Sequence, residues 1–126
     1  PQRHQAGRTV ERYALTQCFD QLDSRDFSEW NDIVKRMQTV CHSDNIEELV
    51  ALDLAFHRAI IARTGQSEVL ALWQAVVSQI RGHFAEKFLR HADKLEIFVK
   101  RHRELVEVFR EGDREAAVAA LRKHIS

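Results

Sequence analysis

Helix-breaking residues are scarce in this sequence, which has one proline and four glycines among 126 residues. Runs of β-branched residues are also few, so we expect helices throughout the chain. The two cysteines, Cys18 and Cys41, lack the CxxC spacing of a metal or redox motif. We expect both thiols to be buried as small side chains, since a chain of this length can bury a core in one domain without a disulfide.

An excess of charge and long apolar runs are missing too. Nineteen Lys and Arg balance nineteen Asp and Glu, so the chain by itself has no surplus positive charge for a nucleic-acid backbone or an anionic membrane. No apolar run approaches the roughly 20 residues that cross a bilayer, and the N-terminus lacks the apolar core of a signal peptide. We therefore expect a soluble, cytoplasmic protein without membrane partners.

Turn residues divide the chain into an N-terminal segment and six amphipathic segments. The first segment, PQRHQAGR, precedes any periodic pattern, and we expect residues 1–8 to be a linker remnant and residues 9–126 to be the domain. The six predicted helices cover about residues 9–22, 27–41, 44–64, 67–91, 93–111 and 113–126. Asp44 is the predicted N-cap of the third helix, and Gly65 and Gly112 are the predicted stops of the third and fifth. Amphipathic helices joined by such short turns predict an all-α antiparallel bundle.

Polar residues interrupt three of the predicted apolar stripes, the helix faces that should be buried. Asp53 and His57 lie one turn apart within the stripe of the third helix, and His102 and His124 interrupt the fifth and sixth. An unpaired buried carboxylate costs several kcal/mol, so Asp53 needs partners, and these imidazoles are the nearest supply. An antiparallel hairpin turning at Gly112 would set His102 and His124 level, each ~15–17 Å from the turn.

Three neutral imidazoles and one carboxylate form a donor set that suits some metals better than others. The set fits Zn²⁺, Ni²⁺, Mn²⁺ or Fe²⁺, with zinc the first choice, and suits Cu⁺ poorly because Cu⁺ prefers sulfur. The alternative is a buried cluster of Asp and His hydrogen bonds without a metal. Because the interruption recurs on three helices, we favour the metal.

Two stretches resemble a known family. LDLAFHRAIIARTGQSEVL and RHRELVEVFREGDREAAVAALRKHI closely resemble the C-terminal effector-binding (FCD) domain of GntR-type transcription regulators of the FadR subfamily. The resemblance extends over about residues 10–126, and its most specific elements are D-x-x-x-H, then H-x-x-L-x-x-x-F-x-x-G-D, then a final H. It implies an all-helical, dimerising domain that holds a divalent metal at the bottom of a pocket. The implied ligands are Asp53, His57, His102 and His124.

The resemblance also implies a function. In this family small organic acids occupy the pocket, often with a carboxylate on the metal, and an N-terminal winged helix-turn-helix domain binds DNA. That DNA-binding domain is absent from this chain, which agrees with the balanced charge. We therefore expect the sensing part of a bacterial regulator, a homodimer that reaches DNA only through the missing domain and has no enzymatic activity.

Three further residues are candidates for binding the effector: Arg12, Arg81 and His83. A guanidinium offers a carboxylate a planar fork of donors. Arg12 matches the family's R-x-x-L pattern, whereas Arg81 and His83 lie beside the stripe of the fourth helix. Each has the alternative role of a solvated surface residue. Trp30 and Trp73 fall on apolar stripes, so we expect them in the core.

Two rival functions were weighed against the sensor. A small helical metalloenzyme acting on a carboxylate substrate would use the same ions to activate water. However, the sequence has no HExxH motif and no glutamate one turn from the histidines to act as a general base. A module that only dimerises would not need a buried Asp53.

Overall fold

The fold consists of helices. A computed structural model describes the backbone of residues 2–43, 45–90 and 92–124, without the side chains of residues 2–6, 80, 83, 84, 87 and 92. Its α-helices are α1 (Gln2–Cys18), α2 (Ser24–Val40), α3 (Ile46–Ala62), α4 (Ser67–Arg90), α5 (Leu95–Arg110) and α6 (Arg114–Lys123). Short 3₁₀ helices, Phe19–Gln21 and Ala92–Lys94, follow α1 and precede α5. These described residues contain no strand, and the predicted all-α bundle is confirmed.

The ends of α3 and α5 show which local sequence signals were sufficient to predict where a helix begins or ends. Gly65 and Gly112 adopt the positive φ angles, 70° and 83°, that end α3 and α5, as their positions predicted. The N-cap of α3 is Asn45, whose side chain accepts a hydrogen bond from the backbone N–H of Glu48. The predicted cap, Asp44, lies outside the described residues. The side chains of Asp and Asn cap helices equally well, so propensity did not distinguish the two neighbours.

The first and fifth helices differ from their predicted limits. Helix α1 begins at Gln2 rather than near residue 9, because a helix can continue through a polar segment that shows no apolar period. Its α-helical part ends at Cys18, and the 3₁₀ helix that follows it reaches Gln21. Helix α5 begins at Leu95, after a 3₁₀ turn that contains the predicted start, Asp93.

Helix α3 is central in the bundle. It packs against α1, α2 and α4, while α5 packs on α2 and α6. Asp53 and His57 are buried on α3 with apolar neighbours from both sides of its stripe. Trp30 of α2 and Trp73 of α4 are buried as predicted. The indole of Trp30 donates a hydrogen bond to the carbonyl oxygen of Phe56 at 3.2 Å, which ties α2 to α3.

Both cysteines are free thiols. Cys18 is buried, and burial raises the pKa of its thiol to about 11, so it packs as a small apolar group, in agreement with the prediction. Cys41 is half-buried at the end of α2. None of the described helices is long and apolar enough to cross a membrane.

Candidate metal centre

Three helices bring the predicted ligands together. Helix α3 carries Asp53 and His57, α5 carries His102, and His124 is the C-cap of α6. One possible ligand atom from each of these residues lies within 4.8 Å of all the others. We call these residues the Asp/His cluster. The Nε2 atoms of His102 and His124 are 3.2 Å apart, so the α5–α6 hairpin does set these histidines level.

Asp53 lies at the centre of the cluster and is only 1% exposed. Its Oδ1 atom is 2.8 Å from Nε2 of His102 and 3.3 Å from Nε2 of His57. Burial alone would raise the pKa of the Asp53 carboxyl, but the hydrogen bonds from His102 and His57 hold that pKa well below its usual range. The other oxygen, Oδ2, is buried and has no hydrogen-bond partner among the described residues. Such an oxygen typically costs about 1–3 kcal/mol, and a cation would remove that cost.

The hydrogen bonds of His102 determine which of its ring nitrogens faces the cluster. Its Nδ1 atom is 2.9 Å from the carbonyl oxygen of Phe98, and since a carbonyl only accepts, Nδ1 must carry the hydrogen. In a neutral ring Nε2 then presents a lone pair toward Asp53. Two lone pairs repel at 2.8 Å, so a proton or a metal ion has to lie between these atoms.

A residue that the sequence analysis did not identify supports His57. Glu11 of α1 accepts a hydrogen bond from Nδ1 of His57 through its Oε1 atom. Its Oε2 atom accepts a second hydrogen bond, from the indole Nε1 of Trp73 at 3.3 Å. Glu11 lies four residues before Leu15 and seven before Cys18, so it is on the buried stripe of α1. That spacing was the signal that could have identified Glu11.

The pKa values of two of the histidines shift in opposite directions. Burial by itself would lower the pKa of His57, but the carboxylates of Glu11 and Asp53 raise it to about 10. His124 faces no such carboxylate pair, and burial together with the charges on His102 and His57 lowers its pKa to about 2. Large opposite shifts within one buried cluster are typical of functional sites. Neutral His124 keeps a lone pair available for a ligand role.

Two apolar rings pack against His102 of the cluster. The ring of Phe56 meets His102 edge-on, with centroids 5.0 Å apart, and the centroid of Phe98 lies 4.3 Å from that of the same imidazole ring.

On the outer side, an open groove of about 480 Å³ between α5 and α6 includes His124 in its wall. Arg101 and Lys123 also line this groove, together with one acidic residue, Glu104. The groove therefore meets the cluster at His124, with two cationic side chains in the same wall.

Arg12 and Arg81, two of the predicted effector residues, do not belong to the Asp/His cluster. Arg12 is half-buried, and its Nη2 atom donates to Oγ1 of Thr9 at 3.4 Å. Arg81 is exposed on α4. The side chain of His83 is outside the described residues. A role in effector binding stays a prediction for all three.

Comparison with known families gives one match. The family model of the FCD domain matches residues 4–126, almost the whole chain. Comparisons with curated proteins and with solved structures give no match.

Proposed function

The chain belongs to the FCD domain family, the C-terminal effector-binding domain of GntR-type transcription regulators, and we propose that it senses a small organic acid through a divalent metal in the Asp/His cluster. Members of this family are parts of transcription regulators, bind small-molecule effectors and oligomerise. The proposal adds a metal, the acidic nature of the effector and a homodimer that works in the cytoplasm.

The observation that carries the proposal is the convergence of electron-pair donors in a buried place. His102 turns Nε2 toward Asp53, since its Nδ1 hydrogen is bound to a carbonyl. His57 likewise turns Nε2 inward, and Oδ2 of Asp53 has no partner among the described residues. Each of these contacts between two electron-pair donors requires a proton or a cation between the atoms. A divalent cation resolves this arrangement by accepting a pair from each ligand.

The donor spacing fits a first-row divalent ion. Ligands about 2.0–2.2 Å from a tetrahedral ion stand roughly 3.3–3.6 Å from one another. Three contacts in the cluster are 2.8, 3.2 and 3.3 Å long, and all four ligand atoms lie within 4.8 Å of one another. The three short contacts need to change by only a few tenths of an ångström, and the longer separations by up to about 1.5 Å. Three nitrogens and an oxygen match zinc best, with nickel, manganese and iron as alternatives.

A metal in this place would supply a positive charge to which an effector carboxylate can bind. The groove between α5 and α6 supports an anionic effector because Arg101 and Lys123 line it beside His124. An effector bound there would contact α5 and α6 as well as an ion held by α3. Binding of the effector would shift the packing of these helices. The size of the shift depends on how much more tightly the effector binds one packing arrangement than the other.

In the full-length regulator we expect that shift to change the geometry of a dimer and so the spacing of two DNA-binding domains. The chain itself carries balanced charge, 19 Lys and Arg against 19 Asp and Glu, so DNA binding would depend on another domain. The rival function is a metalloenzyme acting on a carboxylate, which would have the same cluster but would convert its ligand.

Metal analysis tests the proposal first. Protein purified without chelators should contain about one divalent ion per chain. Buried ligands whose orientation is fixed by further hydrogen bonds bind such ions tightly. His102→Ala should lose most of that metal, whereas the control His42→Ala should keep it, since His42 is exposed at the end of α2. Wild-type protein that takes up neither Zn²⁺ nor Ni²⁺ would contradict the proposal.

A thermal-shift screen of small carboxylates then separates sensor from enzyme. A true effector should raise the melting temperature of the metal-loaded protein and leave the metal-free protein almost unchanged. Recovery of the stabilising compound unaltered after long incubation supports a sensor. Its conversion to a product would favour the metalloenzyme.

A further inference from the structure

Glu11 lies next to the Asp/His cluster but is not one of the four candidate metal ligands. Its carboxylate is on α1, yet Oε1 accepts the Nδ1 hydrogen of His57 on α3. Because Nδ1 carries that hydrogen, Nε2 is the nitrogen that faces Oδ1 of Asp53, 3.3 Å away. The side chain of Glu11 is 14% exposed, so its contact with His57 is largely shielded from solvent.

Trp73 fixes the orientation of Glu11. Its indole Nε1 donates to Oε2 of Glu11 at 3.3 Å, and the residue is 3% exposed. One carboxylate oxygen therefore bonds to the indole and the other to the imidazole, and the rigid indole decides which oxygen meets His57. The connection runs from α4 through α1 to α3, and its last member belongs to the cluster.

The two inner histidines are supported by acceptors of different strength. His102 donates its Nδ1 hydrogen to the carbonyl oxygen of Phe98, a neutral group. His57 donates to a carboxylate, which withdraws the hydrogen more strongly and makes Nε2 a better donor to a cation. Asp53 and Glu11 also contribute one formal negative charge each, and the two charges together balance the double positive charge of a divalent ion. A divalent ion would leave this buried site close to neutral.

We propose that Glu11 is a positioning residue for the metal site: held by Trp73, it fixes the tautomer of His57 and balances the charge of a bound divalent ion. The inference rests on the proposed metal site. It assigns a role to two residues outside the Asp/His cluster, and it joins α1 and α4 to that cluster.

Zinc affinity, measured by competition with a chromogenic chelator, tests this role in four variants of the chain. Glu11→Gln keeps the size of the side chain and removes its charge, and it should weaken zinc binding about 10–100-fold. Trp73→Phe removes the indole donor together with some buried volume and should weaken binding about 3–10-fold. Glu29→Gln is the control for charge, because Glu29 is exposed on α2. Both Gln variants lose one negative charge, so their comparison separates a local effect from a general one.

Trp30→Phe is the control for the loss of a buried indole. Trp30 is 1% exposed and donates to a backbone carbonyl, that of Phe56. Its substitution should lower stability about as much as Trp73→Phe does, yet leave zinc affinity within about twofold. A loss of affinity in both Trp variants alike would mean that general destabilisation explains the effect, and would overturn the role of Trp73.

The tautomer of His57 gives a readout that needs no variant. In zinc-loaded wild-type protein, ¹⁵N–¹H correlation spectra should show the His57 hydrogen on Nδ1 and the metal-bound nitrogen as Nε2. A hydrogen on Nε2 would overturn the positioning role even if Glu11→Gln did not fold. Failure of the wild type to bind zinc would overturn the metal site and this role together. Unchanged affinity in Glu11→Gln beside a zinc-binding wild type would overturn this role alone.

Discussion

Replacing His102 should leave the buried carboxylate of Asp53 without its closest hydrogen-bond partner. His102→Leu fills a similar volume but removes the shortest contact of the carboxylate, the 2.8 Å bond from Nε2 to Oδ1. Asp53 is 1% exposed, and its Oδ2 atom already has no partner among the described residues. Removing one partner of such a buried pair costs about 3–5 kcal/mol, since the remaining charge cannot reach solvent and keeps only the longer contact to Nε2 of His57, at 3.3 Å.

That cost converts into a large change of melting temperature. The entropy of unfolding is about 2.1 cal/mol/K per residue, which gives roughly 0.26 kcal/mol/K for this chain. A loss of about 3–5 kcal/mol should therefore lower the melting temperature of the metal-free protein by about 11–19 °C. It is also a large fraction of the 5–15 kcal/mol that usually stabilises a domain.

A double-mutant cycle isolates the contribution of the pair. Wild type, His102→Leu, Asp53→Leu and the double variant would be unfolded with urea in the presence of a chelator. The double variant removes both polar partners, so it should lose at least about 2 kcal/mol less than the sum of the single variants. Additivity within about 0.5 kcal/mol, or a loss below about 1 kcal/mol in His102→Leu, would refute the idea of a stranded charge.

Two further predictions concern pH and backbone conformation. His57, with a pKa raised to about 10, contributes stability that is lost as pH rises above 6.5, and His124, with a pKa lowered to about 2, reduces stability as pH falls below 6.5. Urea unfolding of the metal-free protein should therefore show maximal stability near pH 6.5, with each group changing it by up to about 1.4 kcal/mol per pH unit; a flat profile from pH 5 to 8 would contradict both shifts. Gly112→Ala should destabilise by about 1–2 kcal/mol in the same assay, because φ is 83° there and no atom lies within 4 Å of an added Cβ. Gly82→Ala within α4 is the matched control and should be neutral or stabilising, so equal losses in both variants would contradict the conformational reason.

The metal-ligand candidates could be identified from the sequence because burial along a helix is periodic. Asp53, His57, His102 and His124 each stand where a period of about 3.6 residues demands an apolar side chain. The α5–α6 hairpin is short enough for helix rise alone to predict that its two histidines are level. Their Nε2 atoms do lie 3.2 Å apart.

Glu11 could not be assigned a role in the same way. It lies on the stripe of α1, but a charged residue near the start of the predicted first helix is expected to be solvated. What makes it part of the site is packing between distant segments: Glu11 is 46 residues from His57 and 62 from Trp73. No periodicity within one helix predicts which carboxylate will lie under which imidazole.

The sequence by itself determined the helices, their stops at Gly65 and Gly112, and the polar residues that their buried faces would carry, because each of these depends on neighbours within a few turns of one chain segment. Only the tertiary structure decided how those residues meet. It brought α1 and α4 against α3, gave His57 its hydrogen-bond acceptor on α1, and placed Nε2 of both His57 and His102 beside Asp53. The orientation of an imidazole depends on the partner of its other nitrogen, and in His57 that partner comes from another helix.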